Sequence, residues 1–327
     1  MALQTVLTAE EQSRLRKAGY ILVGERKHSA VKICLWTKRA LRGEGFCYKQ
    51  RFYGIRSHRC LQFTPALPFC TQRCAFCWRD SRLFKPKWTG GADEPGELID
   101  QAIAGQRKLL NGFPGNPKAV KNLLAEAQDP KHAAISLDGE PTLYEKLPEL
   151  IKEFHKRGFT TFLVTNGTRP EMLERLESER ALPTQLYVST CAFDEASCKR
   201  TLAPVEKNAW RKLGETLDLL PELGKKTRTV MRLTLVRELN FPFAREYAQL
   251  VEKAQPWFVE PKAFMNVGGS VLRLTQAHMP THAEIMEFSK ELAGETGYVV
   301  ADEQPESRVA LLCRDAKVAE NRFIRFD

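Results

Sequence analysis

No apolar run in this 327-residue chain reaches the roughly eighteen residues of a membrane-spanning helix. The first residues are polar and charged rather than the apolar core of a signal peptide. A cytoplasmic protein with no membrane partner is the expectation. Internal repeats and low-complexity linkers are also missing, which excludes solenoids and tethered modules. The length and a 43% apolar content suit one large α/β domain plus an extension, or two modest domains. Nine cysteines in a reducing compartment point to metal ligands, catalysts or core residues rather than disulfides.

Acid is nearly absent from one stretch. Between Arg26 and Arg59 there are ten Lys and Arg against a single acid, Glu44, so this segment carries almost all of the formal charge of +10. Trp36, Phe46, Tyr48, Phe52 and Tyr53 are threaded through it. Cations neutralise phosphates and aromatic faces stack on unpaired bases, so the segment reads as a nucleic-acid surface, with Arg39, Arg42 and Arg51 as candidate contacts. The plainer alternative is a solvated basic face.

Apolar runs at 60–66, 132–137, 159–167, 185–192, 228–236 and 257–264 read as strands. Helical patterns at 142–158, after Pro170, near 206–220 and near 243–254 alternate with them. Six β units with intervening helices predict a parallel sheet with right-handed crossovers, too few for a closed eight-fold barrel. The expected fold is therefore a partial (β/α)6, TIM-like barrel. Residues 1–59, helical near 8–18, form an extension before a barrel at 60–297, and 298–327 form a second extension with β-like runs.

The loop after the first of these strands holds Cys70, Cys74 and Cys77. In barrel-like α/β folds chemistry gathers at the C-terminal strand ends, where this loop would lie. Zinc would want a fourth ligand, with His58 the nearest histidine, and the spacing is not that of a zinc ribbon. A four-iron cluster is normally held by four thiolates, so three would leave one iron open. Cys-x3-Cys-x2-Cys with Phe76 before the last cysteine resembles the radical S-adenosylmethionine (SAM) superfamily. The resemblance implies that the open iron chelates SAM and that reductive cleavage yields an adenosyl radical. "SLDGEP" at 136–141 resembles the superfamily's Gly-Gly-Glu element for the SAM ammonium, with Gly139 and Glu140 matching and Asp138 replacing the first glycine. "TNGT", Thr165, Asn166, Gly167 and Thr168, resembles the element beside the SAM methionine or ribose. Taken singly, these would read as a turn and a helix cap.

Cys34, Cys47 and Cys60 form a second set with twelve residues between successive members. They are either three buried thiols or the ligands of a second cluster. With "CYKQRFYGI" between the two sets, the chain resembles the archaeal-type tRNA 4-demethylwyosine synthases. The resemblance spans "CLWTKRALRGEGFCYKQRFYGIRSHRCLQFTP", "CAFCWR", "SLDGEPTLY", "TNGTRP" and "VEPKAFMNVGGSVLRL". It implies two [4Fe-4S] clusters, SAM, and condensation of pyruvate with N1-methylguanosine beside the anticodon of phenylalanine tRNA. Lys49 is expected to form an imine with pyruvate; chelation by the second cluster's free iron and a phosphate contact by Lys49 are the alternatives. Eukaryotic members carry a flavodoxin-like domain before the first cysteine set, which this chain has no room for, so an external electron donor and no flavin are expected.

Competing readings are a radical SAM maturase or peptide-modifying enzyme with an auxiliary cluster, and a non-catalytic zinc RNA-binding protein. Arg79, Arg82, Lys85 and Lys87 are further RNA candidates or solvated loop charges. Glu260 and Lys262, on one face of the last strand, are expected to form an ion pair. Cys191, Cys198 and Cys313 read as packing or incidental thiols.

Overall fold

Alternation within short apolar runs organises this fold. The computed structural model describes residues 5–325. Its strands are β1 (Ile21–Val23), β2 (Ser29–Val31), β3 (Cys60–Thr64), β4 (His132–Ile135), β5 (Thr160–Thr165), β6 (Gln185–Ser189), β7 (Arg228–Leu235), β8 (Phe258–Ala263), β9 (Val299–Gln304) and β10 (Val309–Cys313). They form one sheet in the order β1-β2-β3-β4-β5-β6-β7-β8-β10-β9. β3 to β8 pair in parallel throughout, the six units expected of a partial barrel.

Residues on one face of these strands, among them Phe63, Ile135, Leu163, Val188 and Leu233, join the apolar faces of the surrounding helices in the main core. The alternate residues Phe162, Val164, Tyr187, Val230 and Phe258 face the lumen. There they meet Tyr48, Phe52 and Tyr53 from the helix Tyr48–Tyr53, which Gly54 ends at a φ of 76°. A piece of the basic extension thus fills part of the barrel.

The extensions are continuous with the barrel. β1 and β2 form an antiparallel hairpin whose second strand pairs with β3, and β10 and β9 extend the sheet beyond β8. One sheet crosses both expected boundaries, 59/60 and 297/298. The helix predicted from 142 begins at Leu147 instead, after a short 3-10 turn at Pro141–Leu143, and Gly158 follows it at a φ of 73°.

Register stacks the lumen in layers. Tyr187 lies beside Val230 and Val230 beside Phe258. One step nearer the C-terminal ends, Ser189, Arg232 and Glu260 align, and a step further Thr234 aligns with Lys262. Same-face residues on a strand are about 6.6 Å apart, which sets the layer spacing.

Candidate active site

At the C-terminal strand ends Cys70, Cys74 and Cys77 line a cavity of about 330 Å³. Their loop is stapled in place by backbone bonds from Arg73 to Leu202 and from Ala75 to Thr201. Arg273, in the "VLRL" run, reaches back to donate to the carbonyls of Ala75 and Cys77. The three thiols are electrostatic neighbours, and burial pushes each one up. Binding a metal as thiolates would therefore release protons.

Two further strand ends complete the rim. Gly139 has a φ of 67°, and a Cβ there would lie 2.2 Å from the Ala66 carbonyl oxygen, so a side chain is excluded. Glu140 is buried and accepts from Thr142 Oγ1 at 2.6 Å, Thr165 Oγ1 at 2.7 Å and Asn166 N at 2.7 Å. Burial raises its pKa against these bonds. Asn166 donates to Thr71 Oγ1 at 2.9 Å, which ties "TNGT" to the cysteine loop. Glu140, Thr165 and Asn166 line the cavity, whereas Gly167 sits behind, where a Cβ would meet Leu213 at 2.7 Å.

Asp138, the departure from Gly-Gly-Glu, accepts from the Tyr20 hydroxyl at 3.1 Å and faces Arg79 at 3.7 Å. Sequence reading missed Tyr20, because it lies 118 residues from its partner. Arg79 is buried in the cavity wall, so it is not a solvated loop charge, and its three guanidinium nitrogens have no hydrogen-bond partner among the described residues. A cation with unspent hydrogen-bond donors beside three thiols fits an anionic thiolate cluster.

The second set assembles differently. Cys34 caps the helix Leu35–Leu41, with its sulfur accepting from Thr37 N at 3.3 Å. Cys47 precedes the helix Tyr48–Tyr53, and Cys60 opens β3. Cys34 lies close enough to act on Cys47 and Cys60, and burial pushes Cys47 up to about 12 and raises Cys60 as well. Among the described residues no three Cys, His, Asp or Glu side chains sit at single-ion spacing. Thiolates at the corners of a four-iron cluster stand further apart than the ligands of one ion. Cys60 to Thr64 spans about 13 Å of strand, so the two sets occupy opposite ends of the lumen.

Lys49 lies between them. It is 9% exposed, with its amine 4.2 Å from the Tyr187 ring centre and 5.0 Å from that of Phe162. Burial pulls its pKa down, Glu260 opposes that and Arg232 reinforces it. Its neighbours are aromatic faces and fixed charges rather than solvent, which is not the setting of a surface phosphate contact.

Several expectations need correction. Tyr48, Phe52 and Tyr53 are core residues, so they offer no face to an unpaired base. The basic segment is partly neutralised: Arg42 pairs with Glu44, Arg51 with Asp302 at 2.7 Å, Arg56 with Glu126 and Arg59 with Asp129. Arg39 instead lies 5.0 Å over the Trp36 ring. Glu260 and Lys262 find separate partners. Glu260 accepts from Tyr53 at 2.6 Å and Tyr48 at 3.0 Å, and Lys262 donates to the Ser307 carbonyl at 2.6 Å. Arg82 pairs with Asp80 at 2.7 Å, and Lys85 donates to the Val6 carbonyl. Cys191 lines the cavity near Cys74, while Cys198 and Cys313 are buried in apolar clusters.

Residues 64–250 match the family model for the radical SAM superfamily, and residues 253–314 match that for wyosine base formation. The S-adenosyl-L-methionine-dependent tRNA 4-demethylwyosine synthase of Pyrococcus abyssi is 49% identical over 313 residues, covering 94% of this chain and 89% of that protein. The chain belongs to the tRNA 4-demethylwyosine synthase family. Its counterpart from Methanocaldococcus jannaschii is 41% identical, covering 91% of this chain and 94% of that one. A solved TYW1 structure with a lysine-pyruvate adduct bound superimposes with a TM-score of 0.83 at 39% identity, covering 97% of this chain and 98% of that one. An archaeal TYW1 crystal structure gives 0.77 at 35% identity, covering 98% and 99%. The chain is thus a radical SAM enzyme, with a [4Fe-4S] cluster and SAM as the superfamily's cofactors and tRNA as the substrate its family name states. Among the described residues no helix is long and apolar enough to cross a membrane.

Proposed function

We propose that this chain condenses pyruvate with N1-methylguanosine beside the anticodon of phenylalanine tRNA, forming the tricyclic base 4-demethylwyosine in the cytoplasm. The observation that carries this reading is the position of Lys49, buried in the lumen between two three-thiol sets. The relative with a lysine-pyruvate adduct, 39% identical, supports it.

In this reading Cys70, Cys74 and Cys77 hold one [4Fe-4S] cluster and Cys34, Cys47 and Cys60 hold a second. Gly139, Glu140, Thr165, Asn166 and Gly167 shape the SAM site. When bound, SAM supplies one-electron, hydrogen-abstracting chemistry at the strand ends. The Lys49 amine attacks the ketone carbon of pyruvate, and loss of water leaves an imine on Nζ. A buried lysine with a lowered pKa is neutral for a larger fraction of the time, which this attack requires. The aromatic walls from Phe162 and Tyr187 hold the amine in place and exclude bulk water. Arg39, Arg42 and Arg51 contact tRNA phosphates, the latter two by exchanging their carboxylate partners. Electrons come from a separate donor protein.

The test is anaerobic incubation with SAM, pyruvate, a reductant and tRNA bearing N1-methylguanosine, followed by nucleoside mass analysis. A tricyclic base carrying two pyruvate carbons is the expected product. SAM cleavage with no change in the tRNA would overturn this reading and favour a peptide-modifying enzyme.

A further inference from the structure

Two cavities meet at Trp78. It lines the strand-end cavity beside Cys77, and it also lines a second one of about 410 Å³ that lies between Tyr20, Lys32 and Leu272. Lys32 follows β2 and Leu272 lies beyond β8, so residues from both flanks of the parallel strands close on one ring. The approach is built in: Gly269 N donates to the Trp78 carbonyl at 2.8 Å, and a Cβ on Gly268 would strike that same oxygen. The Arg79 guanidinium lies against the Trp78 ring and Lys32 Nζ is 5.5 Å from its centre, yet 39% of Trp78 is exposed. Val267, Val271 and Leu272 continue the patch, each more than half exposed. An open apolar rim beside a functional cavity marks a place of contact.

Charge narrows the partner. Arg14, Lys32, Arg79 and Arg82 line the second cavity against two carboxylates, Asp80 and Asp138. Asp80 is already taken by Arg14 at 3.1 Å and Arg82 at 2.7 Å, and Asp138 accepts from Tyr20. Lys32 donates to the Ala18 carbonyl at 2.7 Å and forms no ion pair with a described carboxylate. Burial and the Arg79 charge both pull its pKa down, so its ammonium is held without a counter-charge. An aromatic ring flanked by an unanswered cation suits a nucleotide, base on the ring and phosphate on the cation.

We infer that this second cavity receives the unpaired nucleotide next to the N1-methylguanosine, with its base stacked on Trp78 and its phosphate against Lys32. This rests on the reading of tRNA methylated beside its anticodon as the substrate. The methylated base enters the strand-end cavity, and its chain neighbour stays across the shared wall of Trp78 and Arg79. One wall between consecutive nucleotides fixes their splay, so the target base goes in and its neighbour is held out. Trp78 and Lys32 are binding residues for the RNA.

The experiment uses anaerobically reconstituted holoprotein and phenylalanine tRNA carrying N1-methylguanosine, with the nucleotide on its 5′ or its 3′ side intact or abasic. Dissociation constants are measured for wild type, Trp78→Ala, Trp78→Phe and Lys32→Gln. In wild type, removing the base at one of the two positions should weaken binding about tenfold, the scale of one stacked base. Trp78→Ala should bind intact tRNA about as weakly, and that abasic tRNA no more weakly still. Trp78→Phe should recover most of the loss, and Lys32→Gln should lower the log–log salt slope by about one unit. A merely structural role for Trp78 would weaken intact and abasic tRNA alike. That result, or no loss from either abasic site in wild type, overturns the inference, and an unchanged slope in Lys32→Gln overturns the phosphate contact. If Trp78→Ala does not fold, wild type decides: 5-iodouridine at the same position, irradiated in the complex, should attach to the Trp78 peptide, and attachment only elsewhere overturns the stack. Wild type that binds no intact tRNA sinks the tRNA reading itself, whereas tight binding without coupling overturns this inference alone.

Discussion

The strand-end loop and the lumen floor each present three thiols, but the chain delivers them in different ways. Cys70, Cys74 and Cys77 sit within eight consecutive residues, on a loop that other strand-end loops merely brace. Cys34, Cys47 and Cys60 come from two helix N-termini and the first residue of β3. The first set is local, and its geometry survives wherever the loop is supported. The second exists only once the helix Tyr48–Tyr53 has entered the barrel, so folding and ligand assembly are one event there. A metal site assembled in the second way would couple binding to folding.

Exchanging the two sets for alanine gives the largest effects and tests whether they are independent. Cys70, Cys74 and Cys77 all changed to Ala should abolish SAM cleavage and halve iron from about eight to about four per chain. The corresponding Cys34, Cys47 and Cys60 variant should also lose half its iron yet still cleave SAM. Because Cys34 caps a helix, this variant should melt at a lower temperature than the first. Iron content and thermal melts read both arms, and total loss of iron in either variant would break the comparison.

Lys49 marks the boundary between the two regions. Lys49→Ala and Lys49→Arg should both cleave SAM and bind tRNA, with the tricyclic base falling to background, because neither side chain forms an imine. Nucleoside mass analysis alongside 5′-deoxyadenosine release separates the steps. Near-normal product from the arginine variant would favour chelation of pyruvate by the second cluster.

The rim can be disturbed without touching a thiol. Gly139→Ala places a Cβ 2.2 Å from a backbone oxygen of the loop that precedes Cys70. An overpacked contact of this kind costs about 2 kcal/mol, with strain at positive φ added. SAM affinity and chemical denaturation should both report it, while Gly158→Ala, with no atom near its Cβ, shows the φ penalty alone.

The smallest effect falls on the outer face of the basic segment. Neutralising Arg39, Arg42 and Arg51 together should reduce the salt dependence of tRNA binding by roughly one unit of log–log slope for each phosphate left without its cation. Arg42 and Arg51 must exchange Glu44 and Asp302 for phosphate, so Arg39→Gln alone should supply the largest single share. A triple variant with unchanged slope places the RNA surface elsewhere.

What could be read from the chain was whatever depends on near neighbours. The six parallel strands were legible because apolar runs of four to eight residues bounded by turns carry their own signal. The Cys70 loop, Gly139-Glu140 and "TNGT" were legible as candidate rim elements because each gathers its residues within a few positions of the chain. β1 and β2 were not, since three-residue strands have no periodicity to detect. The burial of Tyr48 and Tyr53 was hidden because their partner Glu260 lies more than two hundred residues away, and a basic, aromatic segment looks the same on a surface as in a lumen.

The sequence by itself determined the local chemistry: which thiols share a loop, which glycine permits a close turn and which strands alternate. Only the tertiary structure decided which face each side chain shows and what meets it there. Strand register set Arg232 beside Glu260 and Lys262 a layer above, and helix insertion brought Lys49 beneath them. The physical reason is that burial and charge pairing are properties of three-dimensional neighbours, fixed when a whole sheet closes around its lumen. The expected Glu260–Lys262 ion pair failed on that account, because hydroxyls from an inserted helix reached the carboxylate first.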